Sequence, residues 1–218
     1  MLDQPRAVAT VAGTEAIARA AAPEYPHLAL VEPNGVAPDR AQAAVAELLT
    51  ALGKDVTSPH LADTPRRVAA SLMELLTPRE FSMTTFPNDE GYHDLVTVRD
   101  IPFHSLCEHH LLPFRGVAHV GYLPGERLVG LSKLARVVEL FSRDLQVQER
   151  LTMQIANYLQ EQLDARGVGV VLEAEHLCMS MRGVQAAGTT TTTTAFLGEL
   201  AANADLRNKI HGPHSAIR

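Results

Sequence analysis

Gly116-Val-Ala-His-Val-Gly-Tyr-Leu-Pro-Gly-Glu-Arg-Leu-Val-Gly-Leu-Ser-Lys-Leu-Ala-Arg-Val-Val-Glu-Leu-Phe141 passes from one kind of periodicity to another within 26 residues. Gly116–Tyr122 reads as a strand, and Pro124-Gly125-Glu126 is a turn signal. Ser132 can then cap a helix in which Leu134, Val137, Val138 and Phe141 fall on one side. Working toward the N-terminus, Leu95–Ile101 is a second strand, with Val96, Val98 and, less cleanly, Asp100 on one face. Before it the spacing predicts two helices. The first, Ala41–Leu52, has Ala44, Leu48, Leu49 and Leu52 as its stripe and Gly53 as its stop. The second is capped by Asp63 or Thr64, carries Pro65 in its first turn, and has Val68, Leu72, Leu75 and Leu76 as its stripe.

Toward the C-terminus a long helix spans about Val147–Arg166, with Leu151, Ile155, Leu159 and Leu163 at four-residue spacing and Gly167 as its stop. Strands at Val168–Glu175 and Thr189–Phe196 follow, then a short helix over Asn203–Ile210. The run Thr189–Thr194 resembles low complexity, but β-branched residues suit a pleated strand better than a linker. Helices, a strand pair, two helices and a strand pair make an α+β protein, with helices on one face of an antiparallel sheet.

The 218-residue chain is long enough for a real core without disulfides. Its 19 basic residues are outnumbered by 25 acidic ones, which counts against a nucleic-acid partner. Any anionic ligand must be met by a local basic cluster. No stretch approaches the roughly 18 apolar residues of a membrane span, so no membrane partner is expected. Residues 1–37 lack an apolar run behind a basic start. They read as a flexible extension of a cytoplasmic protein, with room for a short helix near Gly13–Ala22.

The densest chemistry lies in Ser105-Leu106-Cys107-Glu108-His109-His110. Cys107 and His110 are one turn apart, and the only other cysteine, Cys178, follows His176. In a reducing cytoplasm, cysteines beside histidines point to a metal more than to a bridge. Two thiolates and an imidazole form a zinc ligand set that keeps a position for water. Three readings stay open: a catalytic zinc, a structural zinc closed by His109 or His176, or buried cysteines without metal. Spacing does not choose between His109 and His110. A zinc neutralised by two thiolates acidifies water less than a three-histidine site, so spare histidines near neutrality would be useful bases.

Lys133 and Arg136 diverge from the Leu134/Val138 stripe and, with Ser132, could face a phosphate chain at the helix start. Arg182 follows Cys178 closely, and Arg66-Arg67 opens the second helix. Most basic residues on amphipathic helices are simply solvated, and that is the competing reading for each pair. Glu149 in Gln146-Val-Gln-Glu-Arg150 suits the dipole at a helix start. It could also accept two hydrogen bonds from the N1–H and 2-amino edge of guanine, a donor pair that adenine lacks.

Five motifs in one order resemble the GTP cyclohydrolase I family. They are Asp63-Thr-Pro-Arg-Arg-Val68, Cys107-Glu-His-His110, Gly130-Leu-Ser-Lys-Leu-Ala-Arg136, Gln146-Val-Gln-Glu-Arg-Leu-Thr152 and Glu175-His-Leu-Cys-Met-Ser-Met-Arg-Gly183. The resemblance covers most of residues 40–210. It implies Cys107, His110 and Cys178 as zinc ligands, with His109, His176 and Ser132 as catalytic residues. It places Glu149 on guanine with Gln148 beside it, and Lys133, Arg136, Arg182 and, from a neighbouring subunit, Arg67 on the triphosphate. It implies a catalytic domain over residues 38–218, with N-terminal helices to about residue 90 and a tunnelling-fold core over about 91–210. In this family the sheets join into an oligomeric β-barrel, a homodecamer of two pentamers with active sites between subunits. The implied reaction converts GTP and water to 7,8-dihydroneopterin triphosphate and formate, the first step of pterin and folate synthesis. The competing readings are a non-catalytic GTP-binding regulatory subunit and a related tunnelling-fold enzyme for another purine or pterin.

Overall fold

A computed structural model describes residues 35–211. The expected N-terminal extension up to residue 34, its short helix, and the tail from residue 212 lie outside the described residues. Fourteen elements follow in order: α1 (Pro38–Ala51), α2 (Thr64–Leu75), β1 (Thr85–Pro87), β2 (Val96–Cys107), β3 (Pro113–Leu123), β4 (Arg127–Val129), α3 (Leu131–Ser142), β5 (Leu145–Gln146), α4 (Gln148–Leu163), β6 (Gly167–His176), α5 (Leu177–Ser180), β7 (Thr191–Gly198), α6 (Glu199–Ala202) and α7 (Ala204–His211).

The main sheet has the order β5-β2-β3-β6-β7. All its pairings are antiparallel except β2 with β5, a parallel contact of two residue pairs, Leu106 with Leu145 and Cys107 with Gln146. Alternation along β6 sends Val168, Val170, Leu172 and Ala174 into the main core. There they meet Leu134, Val137, Val138 and Phe141 of α3 and Leu151, Ile155, Leu159 and Leu163 of α4, all of them buried. Those two helical stripes are the ones the spacing marks. The threonine run enters the sheet as β7 only from Thr191.

Several expectations need correction. Helices lie on both faces of the sheet: Leu123 and Val171 pack with Leu200 of α6 and Ile210 of α7 on the face opposite α3 and α4. Gly121 and Gly169 make room for Ile210; a Cβ on Gly121 would stand 2.9 Å from its Cδ1. Gly130 caps α3, with Lys133 N–H donating to its carbonyl at 2.8 Å, so Ser132 lies inside the first turn. The long helix ends earlier than expected, at Asp164, which takes the left-handed conformation (φ 44°). Gly167 instead opens β6, where a side chain would meet the Leu197 carbonyl.

Three further differences affect exposed surface and the strand face. The Asp63 carboxylate does not cap α2, being taken up by Arg66 and Arg67. Asp100 does not share the Val96/Val98 face: the register slips between Val98 and Ile101, and Asp100 has a φ of 55°. α1 packs on α2 but buries no residue of its own; Leu48 and Leu52 of its expected stripe are 57% and 64% exposed.

Candidate active site

Three chain segments meet at the end of the sheet where β2 finishes. After Cys107 the backbone folds back, with His110 N–H and Leu111 N–H both donating to the Cys107 carbonyl. Leu111 takes a positive φ of 55° to make the turn. This brings His110 beside Cys107. On the far side of β3, β6 ends at His176, and Cys178 lies in the first turn of α5. Ligand atoms of Cys107, His110 and Cys178 all lie within 4.8 Å of one another. Cys107 is buried and Cys178 is 9% exposed, and neither is in a disulfide.

The donor chemistry fits a borderline-soft divalent cation. Burial, and then the adjacent Cys107 sulfur, push the Cys178 thiol above its ordinary pKa. Two thiolates packed this closely disfavour each other, and a cation between them removes that cost. His109 stands nearby, its Nδ1 3.7 Å from the Cys107 Sγ, with its ring edge-on to His110.

His176 is held more firmly than its sequence context suggests. Its ring stacks on Phe114 with centroids 4.7 Å apart and planes within 3°. Its Nε2 lies 2.7 Å from Gln148 Oε1. Burial lowers its pKa, and the Glu149 carboxylate partly offsets that. Glu149 is exposed in the first turn of α4, whereas its neighbour Gln148 is 1% exposed. The Gln148 amide is occupied inside the subunit, by His176, Leu172, Thr191 and Thr193. Arg182 sits beside the cluster, donating from Nη1 to the Cys178 carbonyl at 3.4 Å.

The remaining basic residues do not converge on that point within one chain. Ser132 and Arg136 line a groove of about 990 Å³ along β2 and α3, together with Arg79, Arg115 and Arg143; none of the Cys and His cluster lines it. Lys133 extends over the Phe81 ring, 5.9 Å from its centroid. Arg67 is exposed on α2 and bonded to Asp63 and Thr64.

Phe114 and a clamp on the Cys107–His110 turn are not among the residues that the sequence marks. Arg150 donates to Glu108 Oε2 at 2.6 Å, to Gln146 Oε1 and to the Leu145 carbonyl, tying the Cys107–His110 turn to the start of α4. Phe114 reaches His176 because the two are register partners across β3 and β6. Neither contact has a local sequence signal.

A family model described as GTP cyclohydrolase I matches residues 41–214. The chain is 51% identical over 170 residues to GTP cyclohydrolase 1 of Brucella anthropi, covering 76% of this chain and 80% of that protein. It is 54% identical over 167 residues to GTP cyclohydrolase 1 of Mycolicibacterium vanbaalenii, covering 73% and 82%. It is 50% identical over 177 residues to that of Corynebacterium glutamicum, covering 79% and 90%.

Proposed function

The chain belongs to the GTP cyclohydrolase I family, and we infer from its site that it is an enzyme hydrolysing GTP to 7,8-dihydroneopterin triphosphate and formate. The observation that carries this reading is the meeting of Cys107, His110 and Cys178 donor atoms within 4.8 Å, beside two further histidines and a free carboxylate face. We assign zinc as the metal, with these three residues as its ligands. A zinc held by these residues would supply Lewis acidity and make a water more acidic.

The chain's own residues do the rest. The Glu149 carboxylate accepts from N1–H and the 2-amino group of guanine, fixing the purine and excluding adenine. His176 and His109 give protons to the purine nitrogens as the two C8–N bonds break and are recharged by the protons that the two attacking waters lose. Ser132 assists proton transfers at the ribose. Lys133, Arg136, Arg182 and Arg67 offset the triphosphate charge and keep the substrate in register through the successive steps. The free thiols suit a reducing cytoplasm.

Ser132 and Arg136 line a different groove from the metal-binding cluster in one chain, which supports a site shared between subunits. The sheet has the edges for it. Among the described residues, β2 has no outer partner before Leu106, and β7 has none. β2 and β7 run in opposite directions across the sheet, so β7 of one copy set against β2 of the next continues the antiparallel alternation. A heterologous junction of this kind closes into a ring when its rotation divides the full turn evenly. We assign a pentameric barrel, doubled to a decamer.

The test is to incubate zinc-loaded protein with GTP and measure formate together with pterin fluorescence after oxidation. Stoichiometric formate and pterin are expected. GTP binding without formate would overturn the enzymatic reading, and a Cys107→Ser protein that kept both zinc and full formate release would overturn the ligand assignment.

A further inference from the structure

We propose that Gln148 is a positioning residue that commits His176 to one tautomer, leaving Nδ1 as the only ring nitrogen of His176 free to exchange protons with substrate. The proposal rests on the reading of His176 as a proton-transfer residue given above.

The argument is one of donors and acceptors around a buried amide. Gln148 Nε2 lies 3.1 Å from the Leu172 carbonyl, 3.0 Å from the Thr191 carbonyl and 3.1 Å from Thr193 Oγ1. The two carbonyls can only accept. The hydroxyl is an acceptor too, because its own hydrogen is used. Thr152 Oγ1 donates to the Gln148 carbonyl at 2.7 Å, so the 2.6 Å contact between Thr152 and Thr193 must take its hydrogen from Thr193. All three neighbours of Nε2 therefore present lone pairs. A flipped amide would put Oε1 against two carbonyl oxygens that carry no hydrogen and a hydroxyl whose hydrogen is committed to Thr152, in a site 1% exposed.

The amide thus faces one way, with Oε1 toward His176 Nε2 at 2.7 Å. An amide oxygen can only accept, so His176 Nε2 must carry the hydrogen. The neutral ring is then the Nε2–H tautomer, with its Nδ1 lone pair available. The Phe114 stack holds the plane of the ring but is indifferent to which nitrogen is protonated. Gln148 makes that choice, in the way that a hydrogen bond to one ring nitrogen decides the role of the other.

Gln148 is therefore not a guanine contact, although it directly precedes Glu149. The test uses the full-length zinc-loaded protein labelled with ¹⁵N-histidine, in neutral to mildly alkaline buffer. Solid-state ¹⁵N spectra are recorded, with the His176 signals assigned by their loss in His176→Gln. The unaltered protein should show a protonated Nε2 and an unprotonated Nδ1 for His176; the reverse would overturn the proposal without any Gln148 variant. Gln148→Met keeps the length of the side chain but offers His176 only a weak thioether acceptor. It should give mixed tautomers, with kcat lower by about ten- to a hundredfold and KM for GTP nearly unchanged. A raised KM at unchanged kcat would make Gln148 a substrate contact and overturn the proposal. Absence of turnover in the unaltered protein would count against the proposed activity alone, and the tautomer spectrum would still decide the part played by Gln148.

Discussion

Gln148 and Glu149 are adjacent in the chain and opposite in exposure. Successive helical positions point about 100° apart, so Gln148 enters the space between α4, β6 and β7 while Glu149 stays exposed. An exposed carboxylate at a helix start needs no ligand to explain it, which is why substrate chemistry must test it. Glu149→Gln presents an amide where guanine needs two acceptor oxygens, and removes the charge. GTP affinity should fall by on the order of ten- to a hundredfold, the worth of hydrogen bonds to a charged group. Titration calorimetry should also show that the variant no longer separates GTP from inosine triphosphate, which lacks the 2-amino group. Equal discrimination by variant and unaltered protein would remove Glu149 from base recognition.

At the scale of elements, the β2 bulge is the clearest case of tertiary structure overriding a strand pattern. The extra residues near Asp100 turn Ile101 and Phe103 to the core. Asp100 N–H donates to His119 Nδ1 at 3.2 Å, across to β3. His119 is 3% exposed. Burial holds its pKa below the ordinary value; Asp100 and Glu173 oppose that shift, and Arg99 and His211 reinforce it. A histidine with a depressed folded pKa favours the fold when neutral. Its contribution is present above the unfolded pKa of about 6.5 and is lost as pH falls through the folded value. Thermal stability should therefore drop as the solution is acidified below that point. His119→Asn keeps an acceptor for Asp100 N–H but does not titrate, so it should flatten the drop. Some slope should remain from His176, whose pKa burial also lowers. Melting curves across this pH range check it, and an unchanged slope in the variant would clear His119 of the effect.

For the whole molecule, the edges of β2 before Leu106 and of β7, unpaired among the described residues, the exposed leucines of α1 and the dispersed basic residues all suit the proposed shared site. Leu48 and Leu52 stay exposed, and Ser132 and Arg136 line a groove apart from the Cys and His cluster. A shared site predicts complementation. Cys107→Ser and Arg136→Ala subunits should each be nearly inactive, yet dissociated and reassembled together they should recover a substantial fraction of formate release. Some sites would then draw an intact residue from each chain. No recovery, with mixed oligomers verified by native mass spectrometry, would mean that one chain carries both residues of each site.

Sequence by itself determined the helices that build the core, the four long strands and two cysteines beside histidines as a candidate metal set, with His110 preferred to His109 only through the family resemblance. These follow from local periodicity and from rare residue types, of which the two cysteines are the sharpest. Tertiary structure alone decided where α7 lies, that Gly130 rather than Ser132 caps α3, that Asp100 sits on a bulge, and that Gln148 faces His176 rather than solvent. Those outcomes depend on strand register and on which buried donors find acceptors from distant segments. The pairing of Phe114 with His176, or of Arg150 with Glu108, joins residues tens of positions apart, and nothing local in the chain encodes such a meeting.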